Sequence, residues 1–146
     1  MNPKRWIGLL SVLALGVCAA VVFYSRATAA GDEPLKARVY ELRTYHTHPG
    51  KLPDLHKRFR EHTNPLFVKH GITMIGYWTP VEGDAAENTL VYLIAHDSME
   101  AAKKSWDEFK NDPEWQKAYQ KSHANGPIVE KVESVYLNPT DYSPLR

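Results

Sequence analysis

The order of elements predicts an α+β fold: a ferredoxin-like βαββαβ plait, with one antiparallel four-stranded sheet and two helices on one of its faces. Three observations carry that prediction. Residues alternate in strand fashion from Arg38 to His46, apolar residues recur in steps of three and four and their sums from Leu52 to Phe67, and a second such recurrence runs from Met99 to Phe109. At 146 residues the chain has room for one such domain plus a short extra segment.

Each element has its own warrant. Along the first strand Val39, Glu41, Arg43 and Tyr45 share one face and Tyr40, Leu42 and Thr44 the other. Pro49-Gly50 turns the chain. Leu52, Leu55, Phe59, Leu66 and Phe67 form the apolar stripe of the first helix, with Arg and Lys on the opposite side. Pro53 stands near the start, where a missing N–H costs little, and Pro65 kinks the helix or splits off a last turn with Asn64 as a new cap. His70-Gly71 supplies the C-terminal glycine. Ile72 to Pro80 reads as the second strand, Glu82 to Ala85 as a hairpin-type loop, and Thr89 to His96 as a third strand whose apolar run predicts burial on both faces. Ser98 caps the second helix, with Met99, Ala102, Trp106 and Phe109 as its inward stripe. Asp112-Pro113 restarts it, cap then first-turn proline, through Trp115 and Tyr119 toward His123. Asn125-Gly126-Pro127 breaks it, and Ile128 to Leu137 alternates as the fourth strand.

Residues 1–30 stand apart. Lys4 and Arg5 give a basic start, Ile7 to Phe23 is apolar apart from Ser11 and glycine, and Ala27-Thr28-Ala29-Ala30-Gly31 supplies the small residues of a cleavage site. This is the layout of a secretory signal peptide cut after Ala29 or Ala30. The alternative is an uncleaved anchor in the inner membrane, because the apolar run reaches the low end of the ~17–25 residues that span a bilayer. Residues 31–37 then form a leader and 38–146 the domain. Cys18, the only cysteine, falls in the segment to be removed, so no thiol chemistry is expected of the exported protein. From Gly31 onward there are 15 bases against 17 acids, a net charge of −2, and no run of like charge marks a nucleic-acid partner.

The chemistry-bearing residues are few. His46 and His48 sit at strand spacing, but no cysteine and no histidine one helical turn from another converges on them, so they read as a polar strand end; neither metal nor cofactor is expected. Glu41, Arg43 and Tyr45 make a polar row, either an internal ion pair or a group that orients a small anionic or carbonyl ligand. His62 lies three after Phe59 and four before Leu66, on or beside the inward stripe: a packed histidine, or a base near neutral pH. Trp78, Trp106 and Trp115 are core anchors or the walls of a flat aromatic pocket. No phosphate-binding glycine loop and no nucleophile elbow is present. The sheet face away from the helices keeps several apolar residues on either assignment, and two such faces packed together make a homodimer the economical solution.

The blocks "YELRTY", "PGK", "HGITMIGYW", "DSMEAAKKSWDEFKNDPEW" and "VESVYLNPTDYSP", in that order from about Val39 to Pro144, resemble the NIPSNAP family. The resemblance implies a dimeric α/β-barrel of ferredoxin-like subunits. That superfamily also hosts cofactor-free monooxygenases, small-ring isomerases and haem-handling proteins, with the ligand cavity between helices and sheet. The family itself has no agreed reaction, and its eukaryotic members are linked to mitochondria and to adaptor or vesicle-traffic roles. The expectation is therefore an exported homodimer that binds a small apolar or aromatic ligand, with Arg43, Tyr45, His62, Trp78 and Trp106 as cavity candidates, or a protein partner. The alternative is a cofactor-independent monooxygenase or isomerase with His62 as base.

Overall fold

Alternation of β-formers extends the chain over Val39–Thr47 (β1), and Glu41, Arg43 and Tyr45 turn toward the helices while Leu42 and Thr44 turn away. The computed structural model describes residues 38–145; the signal-peptide or anchor segment, the leader and Cys18 lie outside the described residues. Thr73–Trp78 (β2), Thr89–His96 (β3) and Val129–Leu137 (β4) complete an antiparallel sheet in the order β2-β3-β1-β4, the plait that the sequence predicts. In register, Arg43 faces Tyr92 of β3 and Ser134 of β4. β3 is central: Leu90, Tyr92, Ile94 and His96 are buried under the helices, while Val91 and Leu93 on the other face are only half-buried, so the two-sided burial that its apolar run predicts is complete on one side. β4 is an edge strand that the helices leave uncovered: Val132, Val135, Tyr136 and Leu137 are each at least 40% exposed.

The first helix keeps its predicted stripe, since Leu52, Leu55, Phe59, Leu66 and Phe67 are all buried. Its interior departs from expectation. Leu52–Arg58 (α1) passes into a π-helical turn, Phe59–Thr63, before α-helix resumes at Asn64–Lys69 (α2). Pro65 cannot give an N–H to the carbonyl four residues back, and its ring crowds that carbonyl. The chain widens instead: the Asn64 N–H bonds the Phe59 carbonyl, and Thr63 Oγ1 donates to the Arg58 carbonyl at 3.3 Å. The helix therefore runs on without a second start, and Asn64 is no cap; its Oδ1 accepts from the Tyr77 hydroxyl at 2.9 Å. Gly71 takes the left-handed conformation (φ +72°) that lets the chain leave the helix for β2. The loop before β3 contains one helical turn, Ala85–Asn88 (α3), where only a hairpin loop is expected.

Ser98 Oγ accepts from the Ala101 N–H at 3.1 Å and starts Met99–Asn111 (α4); Asp112 Oδ1 accepts from the Glu114 N–H at 2.8 Å and starts Pro113–Ser122 (α5). Asp112 is buried and also receives Lys69 at 2.8 Å and His70 at 2.7 Å, so one side chain caps α5 and fastens it to the end of α2. Those two donors hold its carboxyl well below the ordinary carboxylate range. Between helices and sheet the core is aromatic. Phe59 meets Tyr92 at 5.2 Å, Phe67 meets Trp106 at 5.5 Å edge-on, and Phe109 meets Trp115 at 4.5 Å. Such contacts are worth about 0.5–1.5 kcal/mol each beyond area burial.

Candidate functional site

The polar row of β1 is the seed of a buried network. Glu41 has no exposed surface, and its carboxylate accepts from four donors: Arg43 Nη1 at 2.6 Å, Trp106 Nε1 at 2.6 Å, Ser134 Oγ at 2.6 Å and His96 Nε2 at 3.1 Å. Burial alone would raise its pKa, but the bonds from His96, Ser134 and Trp106, with the Arg43 charge, outweigh that and bring it down to about 2. The Arg43 guanidinium lies 4.5 Å above the Trp106 ring and donates to the Tyr45 hydroxyl at 3.3 Å. Arg43, Tyr45 and Trp106 thus do come together, in one cluster where Arg43 and Trp106 donate to Glu41 and Arg43 also donates to Tyr45. Of the two roles open to them, the internal ion pair is the one their hydrogen bonds describe.

His62 and Trp78 stand elsewhere, on two cavities either side of the first helix. One, of about 430 Å³, lies between the π-helical turn and the end of β2, with Phe59, Tyr77, Trp78 and Leu90 as apolar lining and His56, Arg60 and Asn64 as polar lining. Burial, then the nearby Arg60 charge, pull the His56 pKa down, so its imidazole is predominantly neutral at pH 7. Burial raises the Tyr77 phenol to about 12. Trp78 is 54% exposed, its ring lying over Gly76, where any added Cβ would meet the ring at 2.6 Å. The other cavity, of about 230 Å³, lies between α1, the π-helical turn and α5, and Arg58 and His62 both line it. The His62 side chain is 41% exposed, with Nε2 4.0 Å from Glu61. A π turn sweeps less of a circle per residue than an α turn, so His62 stands off the line of Phe59, and Thr63 is buried instead.

Three groups escaped the sequence reading. His96 and Ser134 reach Glu41 from distant strands with no local period to mark them. Arg58, placed with the solvated face, is 4% exposed; its position three after Leu55, on the flank of the stripe, was the available signal. Among the described residues no three His, Cys, Asp or Glu side chains converge as a metal site would need, and no helix is long and apolar enough to cross a membrane. His46 Nδ1 lies 3.3 Å from Thr89 Oγ1, and His48 follows the end of β1.

Solved structures share this architecture. A NIPSNAP family protein of unknown function from Agrobacterium tumefaciens is 22% identical, over 77% of this chain and 96% of that one, with a TM-score of 0.66. A NIPSNAP domain protein from Burkholderia xenovorans is 25% identical, over 73% and 98% of the two chains, with a TM-score of 0.62. SnoaB, a cofactor-independent oxygenase from Streptomyces nogalater, shares the fold at 13% identity and a TM-score of 0.51, over 74% of this chain and 98% of its own. No curated protein matches the chain. The family model for NIPSNAP matches residues 40–144, nearly the whole described domain, and the chain belongs to the NIPSNAP family.

Proposed function

We propose that this NIPSNAP protein is an exported homodimer that holds a small apolar or aromatic molecule in the cleft between the π-helical turn and β2. The observation that carries the reading is the cleft itself: about 430 Å³, within the ~300–1,000 Å³ of small-molecule sites, with aromatic lining and only a few polar groups. Arg60 and the neutral His56 would orient a carbonyl or acidic substituent on the ring. Native mass spectrometry of the gently purified protein tests it, with extra organic mass on the dimer expected. Trp78→Ala removes one exposed wall and should weaken binding about tenfold, the worth of one good aromatic contact. A dimer without extra mass, and without ligand-induced shifts at the cleft, sinks the reading and moves it to a protein partner.

A second reading, cofactor-independent oxygenation or isomerisation, has one observation in its favour. His56 faces the aromatic cleft with a pKa lowered by burial and by Arg60, as a proton acceptor needs. His62, the base favoured from the sequence, lies on the other cavity. Under this reading His56→Ala abolishes turnover with the thermal midpoint unchanged; turnover lost only in His62→Ala returns the base to that residue. Export rests on the basic start, the apolar run and the small-residue tail of residues 1–30. Intact mass of the protein from the cell exterior or periplasm should begin at Ala30 or Gly31; a retained Met1 in the membrane fraction would establish the anchor.

A further inference from the structure

Arg58 carries a charge into the interior without an answering one. Its side chain is buried, Nη1 donates to Ser122 Oγ at 3.3 Å, and Nε has no acceptor among the described residues. The rings of Trp115 and Tyr119 lie 5.5 and 5.6 Å from its Cζ, and among the described residues no carboxylate reaches ion-pair distance. Burial pulls its pKa down from the ordinary arginine value, yet a guanidinium is not deprotonated in proteins. A buried unpaired charge persists only where something else compensates it.

The compensation has a place to sit. Arg58 forms part of the wall of the 230 Å³ cavity, and Lys57 and Lys121 stand exposed on the same wall, unpaired among the described residues. Two acids share this wall: Asp54, which takes Lys51 at 3.3 Å, and the exposed Glu61, 4.0 Å from His62 Nε2. Thr63 Oγ1, bonded to the Arg58 carbonyl, fixes the residue at the mouth of the π turn, a distortion that recurs at functional sites. The volume is below that of drug-sized ligand sites, so the occupant is small. We propose that this cavity binds a small oxyanion, a carboxylate or phosphate group seated on the Arg58 guanidinium, with Lys57 and Lys121 drawing it in. Planar, forked donors suit such oxygens better than an ammonium does. The site opens on the opposite side of the first helix from the aromatic cleft, so either can fail without the other.

The test is an amide-resolved NMR titration and a thermal scan of the protein with inorganic phosphate and, separately, with succinate, at constant ionic strength with chloride as control. Saturable shifts confined to residues 57–63 and 118–125, and a rise in Tm with either probe, are expected; which probe binds tells phosphate from carboxylate. Arg58→Met should lose both responses, and Lys121→Ala should weaken binding about 2–5-fold, as an exposed charge does. Absence of saturable shifts with both probes overturns the proposal, as does an equal response to chloride or binding that survives Arg58→Met. Should that variant not fold, the exposed pair Lys57→Ala with Lys121→Ala decides: unchanged affinity overturns the site.

Discussion

Glu41 shows how much one side chain can organise and how little of that is visible locally. Its pairing with Arg43 two residues on is legible from the strand's alternation, because i and i+2 share a face. The other donors, His96, Trp106 and Ser134, lie 55, 65 and 93 residues away; the folded register β4-β1-β3 brings in His96 and Ser134, and α4 packed on that face brings in Trp106. Removing the carboxylate charge leaves four donors, one of them cationic, around an amide that can satisfy at most part of the set. Glu41→Gln should therefore cost about 3–5 kcal/mol, measured by urea denaturation, as breaking a buried charged pair does. The same group sets an acid limb. Its pKa falls from an ordinary 4.5 to about 2 on folding, so its stabilisation is complete above pH 4.5 and is lost as pH drops through 2. The two-and-a-half-unit difference corresponds to of order 3 kcal/mol. In the Gln variant the pH dependence of unfolding free energy between those limits should flatten; an unchanged slope would assign the acid limb to other carboxylates.

Among the elements, the first helix teaches the most. Its stripe, its opening proline and its terminal glycine were readable because each acts within one or two turns. The π turn was not. Pro65 signals that a hydrogen bond must be lost, but the same residue can kink a helix, split it or widen it. The outcome depends on what the flanking residues pack against: here Phe59 and Thr63 point inward, Tyr77 occupies Asn64, and His62 is turned to a cavity rim. The paired caps of α4 and α5 are the opposite case, since Ser98 and Asp112-Pro113 announce both helices correctly. They also allow a ranking by experiment. Ser98→Ala removes one cap bond and should cost about 1 kcal/mol. Asp112→Ala removes the cap of α5 and also the contacts to Lys69 and His70, so its urea midpoint should fall further than that of Ser98→Ala. Asp112→Asn, which keeps the cap, should lie between the two Asp112 extremes. Equal losses for Ser98→Ala and Asp112→Ala would reduce Asp112 to a cap alone.

At the scale of the molecule, the unanswered question is what covers the sheet. Among the described residues the helices sit on one face only, and the other presents Leu42, Val91, Leu93, Val135 and Leu137, half-buried or exposed, with Trp78 at its β2 edge on the rim of the aromatic cleft. Among the described residues β4 also leaves an open edge, whose N–H and C=O groups invite pairing unless something blunts them. The ion pair of Lys131 with Glu133 leaves the other end of β4 solvated, so on β4 itself the apolar surface of this face is the end with Val135 and Leu137. A second copy brought to that end by a two-fold axis would cover each apolar face with its own counterpart, the self-complementary arrangement that closes without leaving a free patch. Val135 is 53% exposed, so aspartate there stays solvated in a lone subunit and should change its unfolding free energy by no more than about 0.5 kcal/mol. Buried against a partner, the same carboxylate would lie unpaired in apolar surroundings, at a cost of several kcal/mol per copy. Light scattering should therefore give twice the chain mass for the wild type and the single-chain mass for Val135→Asp at equal concentration. A wild-type monomer would leave the apolar face to a different protein. A dimer that tolerates Val135→Asp would move the interface off this end of the sheet, toward the open edge of β4.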